Sequence, residues 1–203
     1  MTTQVIWIRH AQTLANQEQR YLGHADSPLT EVGLQQEQRL LKALHRERIV
    51  AVYGSDLPRV AKFAACIAAD HQSRVTFVPE LREMDFGVFE GMRYPDIMEN
   101  FPDEATAFYG DLLHNRPPKG ESGLDVLRRV RHFYYMLVKE IQEEPLGTRV
   151  VVSHGGPLRL LFADLQFGDP LRHFDFGIAH GMGVRSSVSV TGRLTILSTF
   201  GMQ

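Results

Sequence analysis

At 203 residues the chain has the size of one large domain, and 43% hydrophobic with 23% charged residues excludes a disordered, collagen-like or coiled-coil chain. The net charge of −2 supplies no basic field for nucleic acid or anionic lipid, and a single cysteine, Cys66, excludes an intramolecular disulfide framework and a cysteine-based zinc cage. No apolar run approaches the roughly 18 residues of a membrane span, and the first apolar stretch is too short for a signal peptide, so a cytoplasmic protein is expected.

Val5 to Ile8 is apolar on both parities, which predicts a strand buried on both faces, ending abruptly at Arg9-His10. Asp26-Ser27-Pro28-Leu29-Thr30 reads as a turn, with Thr30 as cap of a helix carrying Leu34, Leu40, Leu41 and Leu44. Ile49 to Tyr53 is a second buried strand. Ser55-Asp56 is expected to cap the next helix, with Pro58 in its first turn and Val60, Ala64, Ile67 and Ala68 as its apolar stripe. Cys66 on that helix reads as a small core residue. Val75 to Val78 is a third strand. Residues 81–120 lack long periodicity and carry four prolines, so they read as a lid insert with one or two short helices.

Ser122 and Asp125 resemble a capping box before a helix whose stripe runs from Leu124 to Ile141. Val150 to Val152 is a fourth strand, ending in Ser153-His154-Gly155-Gly156-Pro157, and Pro157 opens a helix to Leu165. Strands near 184–190 and 194–199, joined by Thr191-Gly192-Arg193, form an antiparallel pair. Strands alternating with helices imply an α/β, three-layer sandwich: a mostly parallel sheet, helices on both faces, an antiparallel edge strand and the lid insert, in a single domain over 1–203.

In such sheets ligands bind beyond the carboxyl ends of the strands. Arg9 and His10 end the first strand, Arg59 lies just past the second, and His154 ends the fourth. A phosphoryl group carries about two negative charges near neutral pH, and its oxygens suit guanidinium forks. The Gly155-Gly156-Pro157 helix start adds free N–H groups for an anion. An imidazole among these cations resists protonation, and a neutral ring nitrogen is a nucleophile, so His10 or His154 can attack phosphorus. The leaving oxygen then needs a proton and the incoming water a base. Residue types alone do not choose that carboxyl among Glu18, Asp26, Glu83, Asp85 and Glu90.

Arg9-His10-Ala11-Gln12-Thr13 with Asn16 resembles R-H-G-E-T-x-x-N. Gly23 to Gly33 resembles G-x-x-D-x-P-L-T-x-x-G, and Ser55 to Arg59 resembles S-D-L-x-R. Leu81-Arg82-Glu83 with Gly87 and Glu90-Gly91 resembles L-x-E-x-x-x-G-x-x-E-G. Gly120-Glu121-Ser122 with Asp125 and Arg129 resembles G-E-S-x-x-D-x-x-x-R, and Val151 to Gly156 resembles V-S-H-G-G. Six motifs in order resemble the histidine phosphatase superfamily, in its phosphoglycerate-mutase-like branch. The resemblance implies a metal-independent, cofactor-free phosphomonoesterase working through a phosphohistidine. It makes His10 the nucleophile and Glu83 the proton donor and acceptor. Arg9, Arg59 and His154 hold the phosphoryl oxygens, and Asn16, Gly23 and Gly155 line the substrate pocket. The expected partner is a small phosphomonoester, such as α-ribazole phosphate or a sugar phosphate, with a second copy in a homodimer where the chain self-associates. Nucleic acid and membrane are not expected partners.

The chain departs from the family pattern at Ala11 for Gly, Gln12 for Glu, Leu22 for Gln and Phe63 for Thr, which bears on substrate range and rate rather than on reaction type. A phosphoglycerate mutase on the same fold would need extra cations in the lid. Between Met92 and Gly120 there are three cations (Arg93, Arg116, Lys119) against five anions (Asp96, Glu99, Asp103, Glu104, Asp111), and the aromatics Phe86, Phe89, Tyr94, Phe101, Phe108 and Tyr109 favour a leaving group with an apolar part. A metallohydrolase built on His10, His154, Asp26 and Glu83 lacks a close ligand pair. A non-catalytic phospholigand-binding module should lack the nucleophile or the acid. His24, His45, His71, His114, His132, His173 and His180 read as structural or solvated, and Arg128-Arg129-Val130-Arg131-His132 as a solvated helix face.

Overall fold

The computed structural model describes residues 2–201. Six strands form one sheet in the order β3-β2-β4-β1-β5-β6. β1 (Thr2–Arg9), β2 (Ile49–Gly54), β3 (Arg74–Phe77) and β4 (Thr148–Ser153) are mutually parallel. β5 (Gly183–Ser189) runs against both β1 and β6 (Leu194–Phe200), so the antiparallel pairing falls at one side of the sheet, as expected.

The both-parity apolarity of β1 has a direct structural consequence. Ile6 and Ile8 face a layer made by α2 (Glu31–Leu44) and α3 (Pro58–Asp70), where Leu40, Leu44, Phe63 and Ile67 are buried. Val5 and Trp7 face the opposite layer of α6 (Gly123–Glu143) and α7 (Gly155–Phe167). Trp7 meets Phe162 edge-on with ring centroids 5.7 Å apart, and its Nε1–H donates to Ser186 Oγ at 2.9 Å, so the one tryptophan is both packed and satisfied. Thr30 and Ser122 cap α2 and α6 as read, accepting from the N–H groups of Gly33 and Asp125. No helix among the described residues is long and apolar enough to cross a membrane.

Four local expectations fail. α3 has no side-chain cap: Asp56 instead pairs with Arg82, leaving Leu57 at the cap position. Cys66 is exposed, because the α3 stripe passes through Phe63, Ala64 and Ile67 on the face one hundred degrees away. Leu34 is 52% exposed, whereas Leu40 and Leu44 of α2 are buried in the core and Leu41 packs half-buried against it. Arg129 is only 17% exposed, so the basic run on α6 is not wholly a solvated face.

The stretch between β3 and α6 holds two short helices, α4 (Tyr94–Asn100) and α5 (Pro102–Gly110), with Phe89, Ile97 and Phe108 buried beneath. Its two ends cross at Gly87, whose φ of +52° and close approach to Pro118 O admit no Cβ: an added one would lie 2.2 Å from that oxygen. Gly87→Ala is therefore expected to cost about 2–4 kcal/mol from left-handed strain and overpacking, lowering Tm by roughly 5–15 °C. Gly110→Ala meets nothing within 4 Å and should stay within about 0.5 kcal/mol. Thermal melts followed by circular dichroism check both, and equal melts for the two variants would refute the account.

Candidate active site

Because β1 and β4 are parallel neighbours with Arg9 opposite Ser153, they end at the same level. The next residues, His10 and His154, leave the sheet side by side with ring centroids 5.1 Å apart, and His10 N–H donates to Ser153 O at 3.0 Å. Arg59 arrives from the first turn of α3, and His154 is the cap residue of α7, so Gly155 and Gly156 begin that helix beside the imidazoles. The four groups placed by the sequence at strand ends thus meet at one edge.

Hydrogen bonds define the imidazole tautomers. His10 Nδ1–H donates to the Ala11 carbonyl at 2.7 Å, which leaves a lone pair on Nε2. Arg59 Nη2 donates to His154 Nδ1 at 3.2 Å, so the proton of His154 sits on Nε2, a buried donor without a partner in the protein. Both rings are held well below the ordinary histidine range, first by burial and then by the Arg59 charge, with Arg9 adding to both. His10 is therefore a neutral imidazole with a free nitrogen, and His154 a neutral donor.

The arginines are held by carbonyls. Arg59, 5% exposed, donates from Nη1 to Ala25 O at 2.8 Å and from Nη2 to Gly23 O at 2.6 Å. Arg9 donates from Nη1 to Ile178 O at 2.7 Å and from Nη2 to His180 Nε2 at 2.7 Å. Burial brings Arg9 down to about 10 against the opposing pull of Glu83. The Nε groups of both arginines are buried and unpartnered. Three buried donors on neighbouring side chains, Arg9 Nε, Arg59 Nε and His154 Nε2, are thus left with no protein acceptor, which suits an oxyanion, although only Arg9 of the three residues lines the neighbouring cavity.

His10 and Arg9 line a cavity of about 430 Å³ shared with Asn16, Glu83, Gly155 and Gly156. Of the five carboxylates the sequence left open, Glu83 alone lines it. Its Oε2 accepts from Gly156 N–H at 3.2 Å and its Oε1 from Met84 N–H at 2.9 Å; a Cβ on Gly156 would lie 2.3 Å from Oε1, so the second glycine makes room for the carboxylate. Glu90 is instead committed to the N–H groups of Gly23, His24 and Phe86, Asp85 caps Gly87, and Glu18 pairs with Arg20. Asn16 Oδ1 closes the cap of α1 (Leu14–Gln17) on Thr13, while the residue borders the cavity. Gly23 does not line it: its N–H is taken by Glu90 and its carbonyl by Arg59, so it holds the arginine rather than a ligand.

The reading of His180 and Arg129 as bystanders is corrected. His180 binds Arg9, lies 5.4 Å from His10 ring to ring, and is depressed to about 3 by burial and the Arg9 charge. His173 lines the cavity, and Arg129 donates to the carbonyls of Glu80, Arg82 and Glu83. A signal for His180 existed: β5 pairs antiparallel with β1, Ile8 opposite Gly183, so residues just before β5 must lie at the carboxyl end of β1. The sequence offered the antiparallel hairpin but not its neighbour in the sheet.

The profile of the histidine phosphatase superfamily (branch 1) matches residues 5–196, and the chain belongs to that superfamily. It is 37% identical over 161 residues to an adenosylcobalamin/alpha-ribazole phosphatase of Escherichia coli K12, covering 79% of this chain and 78% of that one. It is 32% identical over 162 residues to phosphoglycerate mutase-like protein 4 of Arabidopsis thaliana, covering 78% and 69%. The solved alpha-ribazole phosphatase of Shigella flexneri superposes with a TM-score of 0.85 at 30% identity over 96% of this chain and 95% of that one.

The depressed histidines set a pH dependence. The unfolded chain binds protons at these rings below about pH 6.5, while the folded protein resists them, so stability is full above that pH and falls as pH drops toward the folded values. His180→Asn removes one such proton and should flatten the slope between pH 6.5 and 5 by about 1 kcal/mol per pH unit. Urea unfolding across that window measures it; an unchanged slope would show that His180 takes up its proton in the folded protein.

Proposed function

We propose that the protein is a phosphomonoesterase that hydrolyses small organic phosphate esters through a phosphohistidine on His10. The observation that carries this reading is the His10 imidazole, neutral, with Nδ1 tied to Ala11 O, in a site where Arg9, Arg59 and His154 each keep a buried donor without a protein partner. In the first step Nε2 attacks phosphorus as the ester P–O bond breaks. Glu83, as the carboxylic acid, gives its proton to the leaving oxygen and the alcohol departs. In the second step the Glu83 carboxylate takes a proton from water, the water oxygen attacks phosphorus, the P–N bond breaks and inorganic phosphate leaves. Arg9, Arg59, His154 Nε2–H and the start of α7 stabilise the equatorial oxygens throughout. Arg9 and Arg59 can supply the positive charge that a metal would otherwise bring to the phosphoryl group, so the reading requires no metal.

The mutase alternative is disfavoured by the lid. None of Arg93, Arg116 and Lys119 lines the cavity, and Arg116 is paired with Asp125 at 3.1 Å. The further cations of the cavity, Arg20 and Arg159, lie outside the lid, and much of the remaining lining is apolar, with Tyr21, Leu22, Phe86, Phe108 and Leu112. The alpha-ribazole phosphatases among the relatives have names that fit an organic ester of this kind.

Rapid mixing with labelled substrate and an alkaline quench should trap an acid-labile, base-stable label on His10, absent from His10→Ala. Label on a serine, or none while product forms in a single turnover, overturns the mechanism. Glu83→Gln separates acid from scaffold. An alkyl phosphate must expel a poor leaving group, and general acid catalysis is worth about 10²–10⁴-fold, whereas p-nitrophenyl phosphate needs little protonation. Phosphoenzyme formation from the alkyl ester should therefore fall far more than from the aryl ester. Equal losses would remove Glu83 from the role.

A further inference from the structure

Arg9 is the cation next to the nucleophile, and its guanidinium is held by groups that the two chemical steps do not use. The segment 178–182, just ahead of β5, touches both Arg9 and His10. Ile178 O accepts from Arg9 Nη1 at 2.7 Å, and Met182 O accepts from the Arg9 backbone N–H at 3.1 Å. Gly181 N–H donates to His10 O at 3.1 Å, and His180 Nε2 lies 2.7 Å from Arg9 Nη2. The guanidinium also lies against the start of α7, where a Cβ on Gly155 would come within 2.9 Å of Arg9 Cζ. Of these contacts from the segment, only that of His180 is made by a side chain. A guanidinium has donors and no acceptor, so His180 Nε2 accepts with its lone pair and the ring proton sits on Nδ1. The ring is half-buried and stands 5.4 Å from the His10 ring, centroid to centroid. Burial and the Arg9 charge keep it neutral. A carboxylate in its place would cancel the charge of Arg9. The neutral ring fixes Nη2 and cancels nothing, and Arg9 Nε–H stays buried without a protein partner.

We infer that His180 is a positioning residue of the phosphoryl site: an uncharged acceptor that fixes the Arg9 guanidinium and leaves its full charge for the dianion. The inference rests on the phosphomonoesterase reading and adds a requirement to it, that position 180 carry an acceptor without negative charge. Phosphoryl affinity then depends on the charge at this position more than on its shape. His180 acts through Arg9 and not on the leaving group, so its effect is the same whichever alcohol departs.

Two isosteric variants test this. His180→Gln supplies a neutral acceptor, and His180→Glu has the same shape with a negative charge. Calorimetry with inorganic phosphate reads the clamp without turnover. His180→Gln should keep most of the wild-type affinity, whereas His180→Glu should lose about 10- to 100-fold, the range of a charge-assisted hydrogen bond. On an Arg9→Met background the gap between the two variants should shrink severalfold, because the charge acts through Arg9. In turnover, His180→Glu should lower kcat/KM for alkyl and aryl esters alike, unlike Glu83→Gln, whose losses separate the two. A side chain that only fills space would give equal losses in His180→Gln and His180→Glu, and that result overturns the inference. A gap that survives Arg9→Met undiminished overturns it too, since residue 180 would then act on the ligand directly. If His180→Glu does not fold, as read by circular dichroism, His180→Gln and His180→Leu decide: the amide variant should bind phosphate about tenfold tighter than the leucine variant, and equal affinities overturn the role. Cleavage of no phosphate ester would instead sink the phosphomonoesterase reading, while the phosphate titrations would still decide the case of His180.

Discussion

Two guanidinium groups are buried at the carboxyl edge of this sheet against carbonyl oxygens instead of carboxylates. A carboxylate partner would neutralise each arginine and leave nothing for a ligand to gain. Carbonyl dipoles do less: they satisfy the Nη donors of Arg59 and fix its plane, yet the positive charge persists and Nε stays unpartnered. The cost of that desolvated charge is visible in the lowered pKa of Arg9 and Arg59 and in the depression of His10, His154 and His180. The same repulsion that makes the site costly to fold keeps His10 neutral and draws in a dianion.

Carbonyls can do this only if their loops are rigid. The 22–25 loop, which props Arg59, is fixed by Glu90, whose carboxylate gathers the N–H groups of Gly23 and His24 together with Phe86. Ile178, which props Arg9, is held near β1 by Gly181 N–H donating to His10 O and Arg9 N–H donating to Met182 O. Glu83 is positioned from α6: Arg129 crosses to the carbonyls of Glu80, Arg82 and Glu83 while Glu121 anchors its guanidinium. A carboxylate far from the reacting atoms thus fixes a clamp arginine, and an arginine on a distant helix fixes the acid.

This hierarchy explains which parts were legible in the sequence. Strand parity revealed the sandwich because Ile6 and Ile8 serve one face and Val5 and Trp7 the other. His10, Arg59 and His154 were legible because parallel strands bring their carboxyl ends to one edge. Glu83 was not separable from its acidic neighbours by residue type, since the distinction lies in which N–H groups each carboxylate meets across the fold. His180 and Arg129 were missed for the same reason: their partners, Arg9 and the carbonyls before Met84, are remote in sequence. Cys66 and Leu34 went astray because helical spacing gives a face and not its limits.

The four departures from the family pattern sort themselves by the same geometry. Ala11 is buried and serves through its carbonyl, which any residue supplies. Gln12 turns toward α2, accepting from Thr30 Oγ1 while its N–H donates to Gln36. Phe63 packs in the core between α3 and the sheet. Leu22 alone of the four lines the cavity, and there it replaces an amide with an apolar surface beside Tyr21 and Phe86. The groups around phosphorus are therefore kept while the leaving-group wall is changed. Since hydrogen-bonding sites discriminate far more sharply than apolar ones, exchanging an amide for Leu22 loosens selection on that wall while leaving the chemistry at phosphorus untouched.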